Sequence, residues 1–368
     1  MNTNLNTYVE TCLSPSYKDF YDIDRFIEYV KYPVQTNSIW FLNYLNHFNP
    51  KTLFLKCFNR QDKEIIGILP LEEVSKRATR FWNYRIMQPF SGEILDFFEP
   101  FVMPGKEEVF SISIAEWFYK NRNIWDELNI NQLPETSLLA DILKEKLIER
   151  GFDIIENQKR YFYKIDTRID WDNYFNGFLK NKLKDLQNRQ NRIFREGIKF
   201  DFIHLYENIE QYLSTLFELY INRRVSLQQK FGYSNENRRK FLFELLKDLQ
   251  LRKEVVLSIM QTNEKQIMAF QLDLLYEGIR YHYLPAFNPQ FSKFSPSKIL
   301  LLETLKNSFM DKEIKEFNFM RGESNYKAQF ANIDEKFVNF KIQNPYSRRR
   351  KLTIVASKVI DLRNILIK

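Results

Sequence analysis

Residues 266–287 read QIMAFQLDLLYEGIRYHYLPAF and contain two apolar runs on either side of a Glu277-Gly278 pair. Each run is long enough to form a strand. Gly278 tolerates the positive φ that a two-residue hairpin loop requires. Counting back from such a loop places Asp273 directly opposite His282. Directly opposed residues share one face of a sheet, with Cβ atoms ~5 Å apart.

The Asp273–His282 pair has two interpretations. A carboxylate beside an imidazole raises the basicity of the histidine and fixes its tautomer, as a general base requires. The alternative is a structural cross-strand pair, or a one-residue slip in register that puts the two side chains on opposite faces. Structural ion pairs perturb pKa values as well, so the pattern predicts a candidate base without separating the two interpretations.

Around this hairpin the second half of the chain shows the order β-α-α-β-β-β-α-β, which predicts a mixed sheet with helices on both faces. The predicted elements are a strand at 198–206, helices at 208–224 and 235–250, strands at 255–261, 266–276 and 279–287, a helix that begins at Ser295-Pro296, and a strand at 315–320.

The first half shows a less clear version of the same order. Its predicted elements are a helix at 38–47, strands at 52–58, 64–74, 84–90 and 94–102, a helix at 107–121, a strand at 125–133, a helix at 137–151 and a strand at 152–165. We therefore expect an α/β (α+β) fold of two tandem modules that arose by duplication. Each has a mixed, mostly antiparallel sheet flanked by helices.

The predicted domains are 1–168, a connector helix at 169–197, a second module at 198–345 and a tail at 346–368. The connector has leucine and isoleucine on one face and six basic residues mostly on the others. It is either a solvated connector or a basic rim over an anionic ligand.

The net charge of +8 is concentrated at one end of the chain, because residues 348–368 carry +6 and the remaining 347 residues only +2. The tail SRRRKLTIVASKVIDLRNILIK resembles a basic amphipathic helix. It could rest on an anionic membrane surface, pack on the body of the protein or fray. The charge of the body does not indicate DNA binding.

Several function classes are not indicated by composition. Two cysteines without paired spacing and three separated histidines predict neither disulfides nor a metal site. The first 18 residues lack the apolar core of a secretory leader, and no apolar run reaches the ~18 residues of a membrane span. We therefore expect a cytoplasmic protein, with peripheral contact at the inner face of the membrane as an option for the tail.

After the hairpin, Ser295 suits an N-cap and Pro296 the first helical position. A helix start exposes unpaired N–H groups and a partial positive charge, so it can hold phosphate, and Lys293 and Lys298 add cations. Most helix starts of this kind bind nothing, so this signal is weak by itself.

Several stretches recur in one order in a known family. NRQNRIFREGIKFDF, the LYINRR helix, YHYLPAFNPQFSKFSPSKILLLETL and FNFMRGESNYKAQF together resemble the GNAT acyltransferases. Among the GNAT acyltransferases, these stretches are similar to the CelD-like branch, which is named for cellulose-biosynthesis operons. The resemblance spans roughly residues 175–332. Before residue 165 it rests on the order of elements, which is similar to the paired modules of the Fem peptidyltransferases.

The resemblance implies acyl transfer from a thioester, usually acyl-CoA and most simply acetyl-CoA, to an amine or hydroxyl. Backbone N–H groups near Leu284 to Ala286 would polarise the thioester carbonyl. The loop 291–298, with Lys293, Ser295, Ser297 and Lys298, would meet the pyrophosphate. This chain departs from the pattern at Ser297, where the branch normally keeps a glycine that lets the backbone approach phosphates.

The corner after strand 315–320 would then lie at the mouth of the sheet, where ligands usually bind. Gly322 permits the turn there. Arg321 would clamp an acceptor or the donor phosphates, and Glu323 would position the nucleophile or act as a second base. Tyr326 and Lys327 would line the same mouth. The alternative is an Arg–Glu pair that only braces a turn.

Three functions follow from these observations. The first is an acyl-CoA-dependent N- or O-acyltransferase that acts on a sugar, a glycan precursor or a related small metabolite. The second is Fem-like aminoacyl transfer from charged tRNA, which a basic groove would favour. The third is a catalytically inactive accessory protein of envelope polysaccharide assembly, which the missing glycine keeps open.

Overall fold

A computed structural model of the protein describes residues 6–31, 33–77, 83–156, 160–180, 184–226, 233 and 235–351. These residues form two compact units, one of 6–160 with 336–351 and the other of 161–335. This grouping differs from the predicted domains. The connector region 169–197 is part of the second unit, and residues 336–345 are part of the first.

The first unit begins with a meander of antiparallel strands. Its strands are β1 (Thr7–Cys12), β2 (Lys51–Asn59), β3 (Ile65–Arg77), β4 (Asn83–Pro89), β5 (Phe101–Val102), β6 (Glu127–Pro134) and β7 (Asp153–Glu156). Its helices are α1 (Tyr17–Asp24), α2 (Ser38–Phe48), α3 (Glu107–Lys120) and α4 (Leu138–Ile148). The strand order is β1-β2-β3-β4-β6, with β5 beside β3, and β4 runs parallel to β6.

The second unit is built in the same way around the predicted hairpin. Its strands are β8 (Arg160–Asp166), β9 (Phe200–Leu205), β10 (Val255–Thr262), β11 (Ile267–Tyr276), β12 (Ile279–Phe287) and β13 (Glu316–Asn318). Its helices are α5 (Trp171–Tyr174), α6 (Lys184–Arg195), α7 (Leu213–Ser226), α8 (Glu236–Leu251), α9 (Pro296–Met310) and α10 (Asn325–Phe330). The strand order is β8-β13-β12-β11-β10-β9, and β12 runs parallel to β13.

The last strand, β14 (Ile333–Gln343), takes the chain back to the first unit. There it pairs antiparallel with β6 and with β7. Phe340 and Ile342 of β14 are buried in the core cluster of the first unit, beside Trp125 and Phe152. The first unit is therefore completed by residues that follow the whole second unit in sequence.

The predicted class is confirmed, because the strands of each unit pair in a mixed, mostly antiparallel pattern and are flanked by helices. All eight positions of β10 are buried, as expected of a strand with both faces covered. Both units contain an antiparallel hairpin, then a helix, then a strand parallel to the second hairpin strand. The two units thus repeat one topology, and a common origin by duplication stays a prediction.

Two predicted strands in the first half are wrong in detail. Only Phe101–Val102 of the predicted strand 94–102 pairs with another strand, because positive φ at Ser91 and Gly92 turns the chain before it. Leu95, Phe97 and Phe98 are all buried, so their apolar pattern reflects packing without a ladder. The predicted strand 152–165 is two strands, β7 and β8, with different partners. Strands β1 and β14 and helix α1 were not predicted.

The connector helix is α6, preceded by a π-helical segment at Phe175–Leu179. Leu186 and Ile193 of α6 and Leu179 of the π-helical segment are buried in the same core cluster as residues of α9. The fourth predicted apolar residue, Leu183, lies outside the described residues, as do residues 352–368 of the predicted amphipathic tail. Within the described ranges, no helix combines the length and hydropathy that crossing a bilayer requires.

Candidate functional site

The hairpin β11–β12 has the predicted loop and register. Glu277 and Gly278 adopt φ values of 48° and 74°, as a type I′ turn requires. Asp273 pairs directly with His282. The Nδ1 of His282 lies 3.3 Å from Oδ1 of Asp273. Because an ionised carboxylate can only accept, Nδ1 donates to it, and Nε2 is left as the proton acceptor of the ring.

Asp273 has two further partners that the sequence analysis missed. Its Oδ2 accepts from Nε of Arg280 at 2.7 Å and from Nε2 of Gln271 at 2.7 Å. Burial by itself would raise the pKa of Asp273, but the charge of Arg280 and the hydrogen bonds of His282 and Gln271 outweigh it and hold that pKa below its usual value. Asp273 is therefore an anion inside the protein. Arg280 lies diagonally across the hairpin from it, a position that a long side chain can reach.

His282 is buried as well, and burial lowers its pKa, with Asp273 opposing this in part. The imidazole is therefore neutral at neutral pH, which is the protonation state that a general base needs. Its ring lies 5.9 Å from that of Phe319 in an edge-on arrangement. An apolar wall of this kind keeps the imidazole uncharged.

A β-bulge in the hairpin decides which side chains accompany His282. The register shifts between Leu272 and Asp273, so that Leu272 pairs with Leu284 and Gln271 with Pro285. Because a bulge changes the alternation of side chains, His282, Pro285 and Phe287 come to share one face. Without the bulge, Pro285 and Phe287 would lie on the face opposite to His282.

The parallel pairing of β12 with β13 is short. It covers Ile279 to Tyr281, opposite Glu316 to Asn318, and ends there. From His282 to Phe287, no described strand pairs with this side of β12. The two strands thus separate directly at the candidate base and leave one backbone edge of β12 open.

A cavity of about 160 Å³ lies at this separation, and we refer to it as the His282 cavity. Its walls include His282, Pro285 and Phe287 of β12 and Ser297, Lys298 and Leu301 of α9. The Oγ of Ser297 is buried and has no hydrogen-bond partner among the described residues. The cavity therefore combines a neutral imidazole, a lysine and a hydroxyl that lacks a partner.

The start of α9 is arranged differently from the prediction. Ser295 has a φ of 55°, and its side chain does not cap the helix. Its hydroxyl instead receives a hydrogen bond of 3.0 Å from Arg189 of α6. The N–H groups of Lys298 and Ile299 already donate to the carbonyl of Ser295. Side chains, rather than a glycine-rich backbone, therefore supply most donors at this helix start.

The remaining residues predicted to bind the donor do not line the His282 cavity. Lys293 is exposed, and its Nζ lies 2.5 Å from Glu196. Leu284 and Ala286 are buried side chains. The prediction for them concerned their backbone, which belongs to the open segment of β12. That prediction is untested.

Of the three predicted acceptor residues, Tyr326 lines the His282 cavity, whereas Arg321 and Lys327 do not, and neither does Glu323, the predicted second base. Glu323 is exposed and accepts from the backbone N–H of Tyr161 at 2.9 Å. Lys327 is buried, and its Nζ donates to the carbonyl of Arg321 at 2.8 Å. These contacts hold the corner at Gly322, which has a φ of 109°. Glu323 and Lys327 thus bind backbone groups around the corner, and the Arg–Glu pair of the alternative stays a prediction.

Arg223 of α7 lines the His282 cavity and was not predicted as a site residue. Its guanidinium lies 4.7 Å from the centre of the Phe287 ring. Burial lowers the pKa of Arg223, and burial raises the pKa of Tyr326 to about 12, opposed by Arg223 and Arg224. The signal that could have found Arg223 is the LYINRR stretch, which belonged to the family resemblance without a role for its arginines.

One known family is similar to the part of the chain that contains this site. Residues 180–328 match the family model described as acetyltransferase (GNAT) domain. This range contains the hairpin, the strand separation and the His282 cavity, so the similarity to this family extends over the whole candidate site. The match covers less than half of the chain. No curated protein sequence matches the chain.

Two solved structures share the fold across most of the chain. A conserved protein of unknown function from Bacteroides thetaiotaomicron VPI-5482 superposes with a TM-score of 0.55 at 12% identity, covering 91% of this chain and 99% of that one. The structure titled FemX superposes with a TM-score of 0.58 at 10% identity, covering 89% of this chain and 96% of that one. At these identities the similarity concerns the fold alone.

Proposed function

We propose that the second unit transfers an acyl group from an acyl-CoA, most simply acetyl-CoA, to an amine or hydroxyl of a sugar, a glycan precursor or a related small metabolite. The observation that carries this proposal is the separation of β12 from β13 at His282, with the His282 cavity directly beside it. The CoA thioester would supply an acyl carbon that an amine or hydroxyl can attack.

His282 is the proposed general base. Asp273 accepts from its Nδ1–H and so keeps Nε2 free to take the proton of the attacking amine or hydroxyl. Arg280 and Gln271 hold the Asp273 carboxylate in place and keep it ionised. Asp273 is thus a positioning residue, and its anion stabilises the imidazolium that forms when the proton is taken.

The residues at the start of α9 fit an anionic donor through their side chains. The hydroxyl of Ser297 lacks a partner, Lys298 supplies a cation, and Arg189 reaches the same turn through Ser295. They would compensate for the glycine that is missing at position 297. The open backbone edge of β12 at Leu284 and Ala286 would orient the thioester, and Arg223 with Tyr326 would contact the acceptor.

The test is release of free thiol from acetyl-CoA by the full chain in the presence of amino-sugar and nucleotide-sugar acceptors. His282→Gln should lower the rate by ~10²-fold or more, as loss of a general base does. His47→Gln, in α2 of the first unit, is the matched control and should leave the rate unchanged. Equal rates for the wild type and His282→Gln would remove His282 from the mechanism.

The pH profile gives a second readout of the same proposal. Because the pKa of His282 is lowered, the neutral base persists below the ordinary histidine value of ~6.5. The rate should therefore hold from neutral pH to below that value and then fall as the imidazole is protonated. This fall should be absent from the residual activity of His282→Gln. A fall that begins above pH 7 would contradict the assignment.

Calorimetry with acyl-CoA thioesters separates the alternatives. Binding of a thioester supports the transferase, and failure of every thioester to bind would favour the accessory protein of polysaccharide assembly. Transfer from charged tRNA would instead show affinity that falls steeply with salt, because phosphate contacts release counterions.

A further inference from the structure

The first unit has a cavity at the topological position that the His282 cavity occupies in the second. The His282 cavity lies at the starts of α9 and α10, the two helices on either side of the parallel strand β13. A cavity of about 250 Å³ in the first unit lies at the starts of α3 and α4, on either side of the parallel strand β6. We refer to it as the Glu99 cavity. Its polar and aromatic walls include Tyr29, Glu99, Glu107, Phe110, Ser111 and Ser137.

The two cavities carry opposite charge. Arg223 and Lys298 line the His282 cavity, whereas Glu99 and Glu107 are the charged residues among the described ones that line the Glu99 cavity. A phosphate-bearing donor would be repelled there. The first unit therefore has a pocket at the corresponding helix starts, but the negative charge of its walls suits a different class of molecule.

Glu99 is the informative residue of this cavity. Its Oε2 accepts from the backbone N–H of Lys31 at 3.2 Å, whereas its Oε1 receives no hydrogen bond from any described residue. Burial raises the pKa of Glu99, and the hydrogen bond and charge of Lys31 offset only part of that effect. Glu99 is half-buried, and a carboxylate partly withdrawn from water without a full set of donors loses some of its hydration free energy. A cationic donor placed in the cavity would offset that loss.

Two hydroxyl groups in the cavity can accept hydrogen bonds from such a cation. Ser111 donates its own proton to the carbonyl of Glu107 at 2.7 Å, which leaves its oxygen lone pairs available. Ser137 precedes α4, but its side chain makes no capping hydrogen bond to that helix. Phe110 and Tyr29 contribute apolar and aromatic surface. Together these groups are complementary to a small organic molecule that contains an ammonium group.

We propose that the Glu99 cavity binds a small primary amine, with Glu99 paired to the ammonium and the hydroxyls of Ser111 and Ser137 accepting hydrogen bonds from its remaining N–H groups. The volume lies below the ~300–1,000 Å³ of pockets for drug-sized ligands, so the molecule is of the size of an amino alcohol or a monosaccharide amine. This site does not depend on the proposed acyl transfer, because none of its residues belongs to the second unit.

The probes are two amines and their hydroxyl counterparts, glucosamine with glucose and ethanolamine with ethylene glycol. Binding to the full chain is measured by calorimetry at pH 7 and by saturation-transfer NMR. At least one amine should bind, and it should bind at least ~10-fold more tightly than its hydroxyl counterpart, because a charged hydrogen bond to Glu99 is lost in the latter. If neither amine binds at millimolar concentration, or if amine and counterpart bind equally, the proposal is overturned.

Variants locate the binding. Glu99→Gln keeps the shape of the side chain and should lower amine affinity by ~10-fold or more. Glu108→Gln removes the same charge from an exposed position outside the cavity and should have no effect. His282→Gln should also leave the amine affinity unchanged, which separates this site from an acceptor bound in the second unit. If His282→Gln lost affinity for the amine while Glu99→Gln kept it, the amine would bind in the His282 cavity and the proposal would be overturned.

The protonation of Glu99 gives a readout that a purely structural role would not produce. An ammonium beside the carboxyl favours its charged form, so the carboxyl pKa followed by NMR should fall when the amine is added. The thermal midpoint of Glu99→Gln should equal or exceed that of the wild type, which shows that the variant is folded. A Glu99 pKa that does not change with saturating amine would contradict the pairing.

Discussion

Asp273 is fully buried and accepts from three side chains, and its charge is matched mainly by Arg280, which is 5% exposed. Such a pair contributes little net stability relative to apolar residues, because both ions must leave water. Removing one partner is different, since the other charge is then buried without compensation. The Asp273–Arg280 pair therefore makes the hairpin sensitive to single substitutions in a way that surface pairs are not.

We expect Arg280→Met to lower the free energy of unfolding by ~3–5 kcal/mol at pH 7. Lys247→Met, which removes the exposed pair with Glu244, should change it by no more than ~0.5 kcal/mol. Urea unfolding measures both. In Arg280→Met, burial without the guanidinium places the folded-state pKa of Asp273 above the unfolded value. That destabilisation is therefore present at pH 7 and shrinks as the pH falls toward ~4, where Asp273 takes up a proton. A loss of stability independent of pH would show that the carboxylate is not the cause.

At the scale of elements, the hairpin β11–β12 sets the register that brings Asp273 to His282. Gly278 has a φ of 74°, and a Cβ at this position would lie 3.0 Å from the carbonyl of Glu313. Both the backbone conformation and the close approach therefore require glycine. Gly105 has a similar φ of 75°, but a Cβ there would have no atom within 4 Å.

The comparison of Gly278→Ala with Gly105→Ala separates these two causes. Gly105→Ala should cost ~1–2 kcal/mol of unfolding free energy, the usual strain of a left-handed residue with a side chain. Gly278→Ala should cost more, because the carbonyl of Glu313 must also move. Chemical denaturation of the two variants provides the measurement. Equal losses would show that the contact with Glu313 relaxes freely.

The hairpin also shows how far the sequence could predict the site. Register followed from the Glu277-Gly278 loop, because loop length and glycine position fix which residues oppose each other. The bulge at Leu272–Asp273 did not follow, because no local sequence motif marks it. It is nevertheless the bulge that places Pro285 and Phe287 beside His282.

The residues predicted at the corner near Gly322 show that proximity in sequence does not identify the residues of a site. Arg321, Glu323 and Lys327 were grouped because they are close in sequence after a strand. In the structure Lys327 donates to a backbone carbonyl, and Glu323 accepts from the backbone N–H of Tyr161. Charged residues near a turn satisfy backbone groups as readily as they bind ligands. The cavity instead uses Arg223 from a helix about a hundred residues earlier, which no local spacing indicates.

At the scale of the whole molecule, the first unit depends on residues from both ends of the described chain. Strand β14 pairs with β6 and β7, and Phe340 is 1% exposed in the core of that unit. The second unit lies between them in sequence. A substitution near the C-terminal end of the described chain should therefore affect the unit that contains the N-terminal residues.

We expect Phe340→Ala to destabilise the first unit by ~3–5 kcal/mol, the usual cost of truncating a buried phenylalanine. Hydrogen exchange measured by mass spectrometry should show loss of protection in β6 and β7 before any change in β10 and β11. Phe194→Ala, at a side chain that is 62% exposed, is the control and should alter neither set. Simultaneous loss of protection in both units would mean that they unfold as one.

The late position of β14 has a consequence for biosynthesis. When β6 leaves the ribosome, its pairing strand is still about two hundred codons away. At ~5–20 residues per second, the nascent chain waits for roughly 10–40 s. During that interval the edge of β6 and the apolar surface meant for Phe340 have no native partner, and all strands of the second unit are translated before β14. The enclosing unit therefore needs protection against aggregation until β14 has been translated.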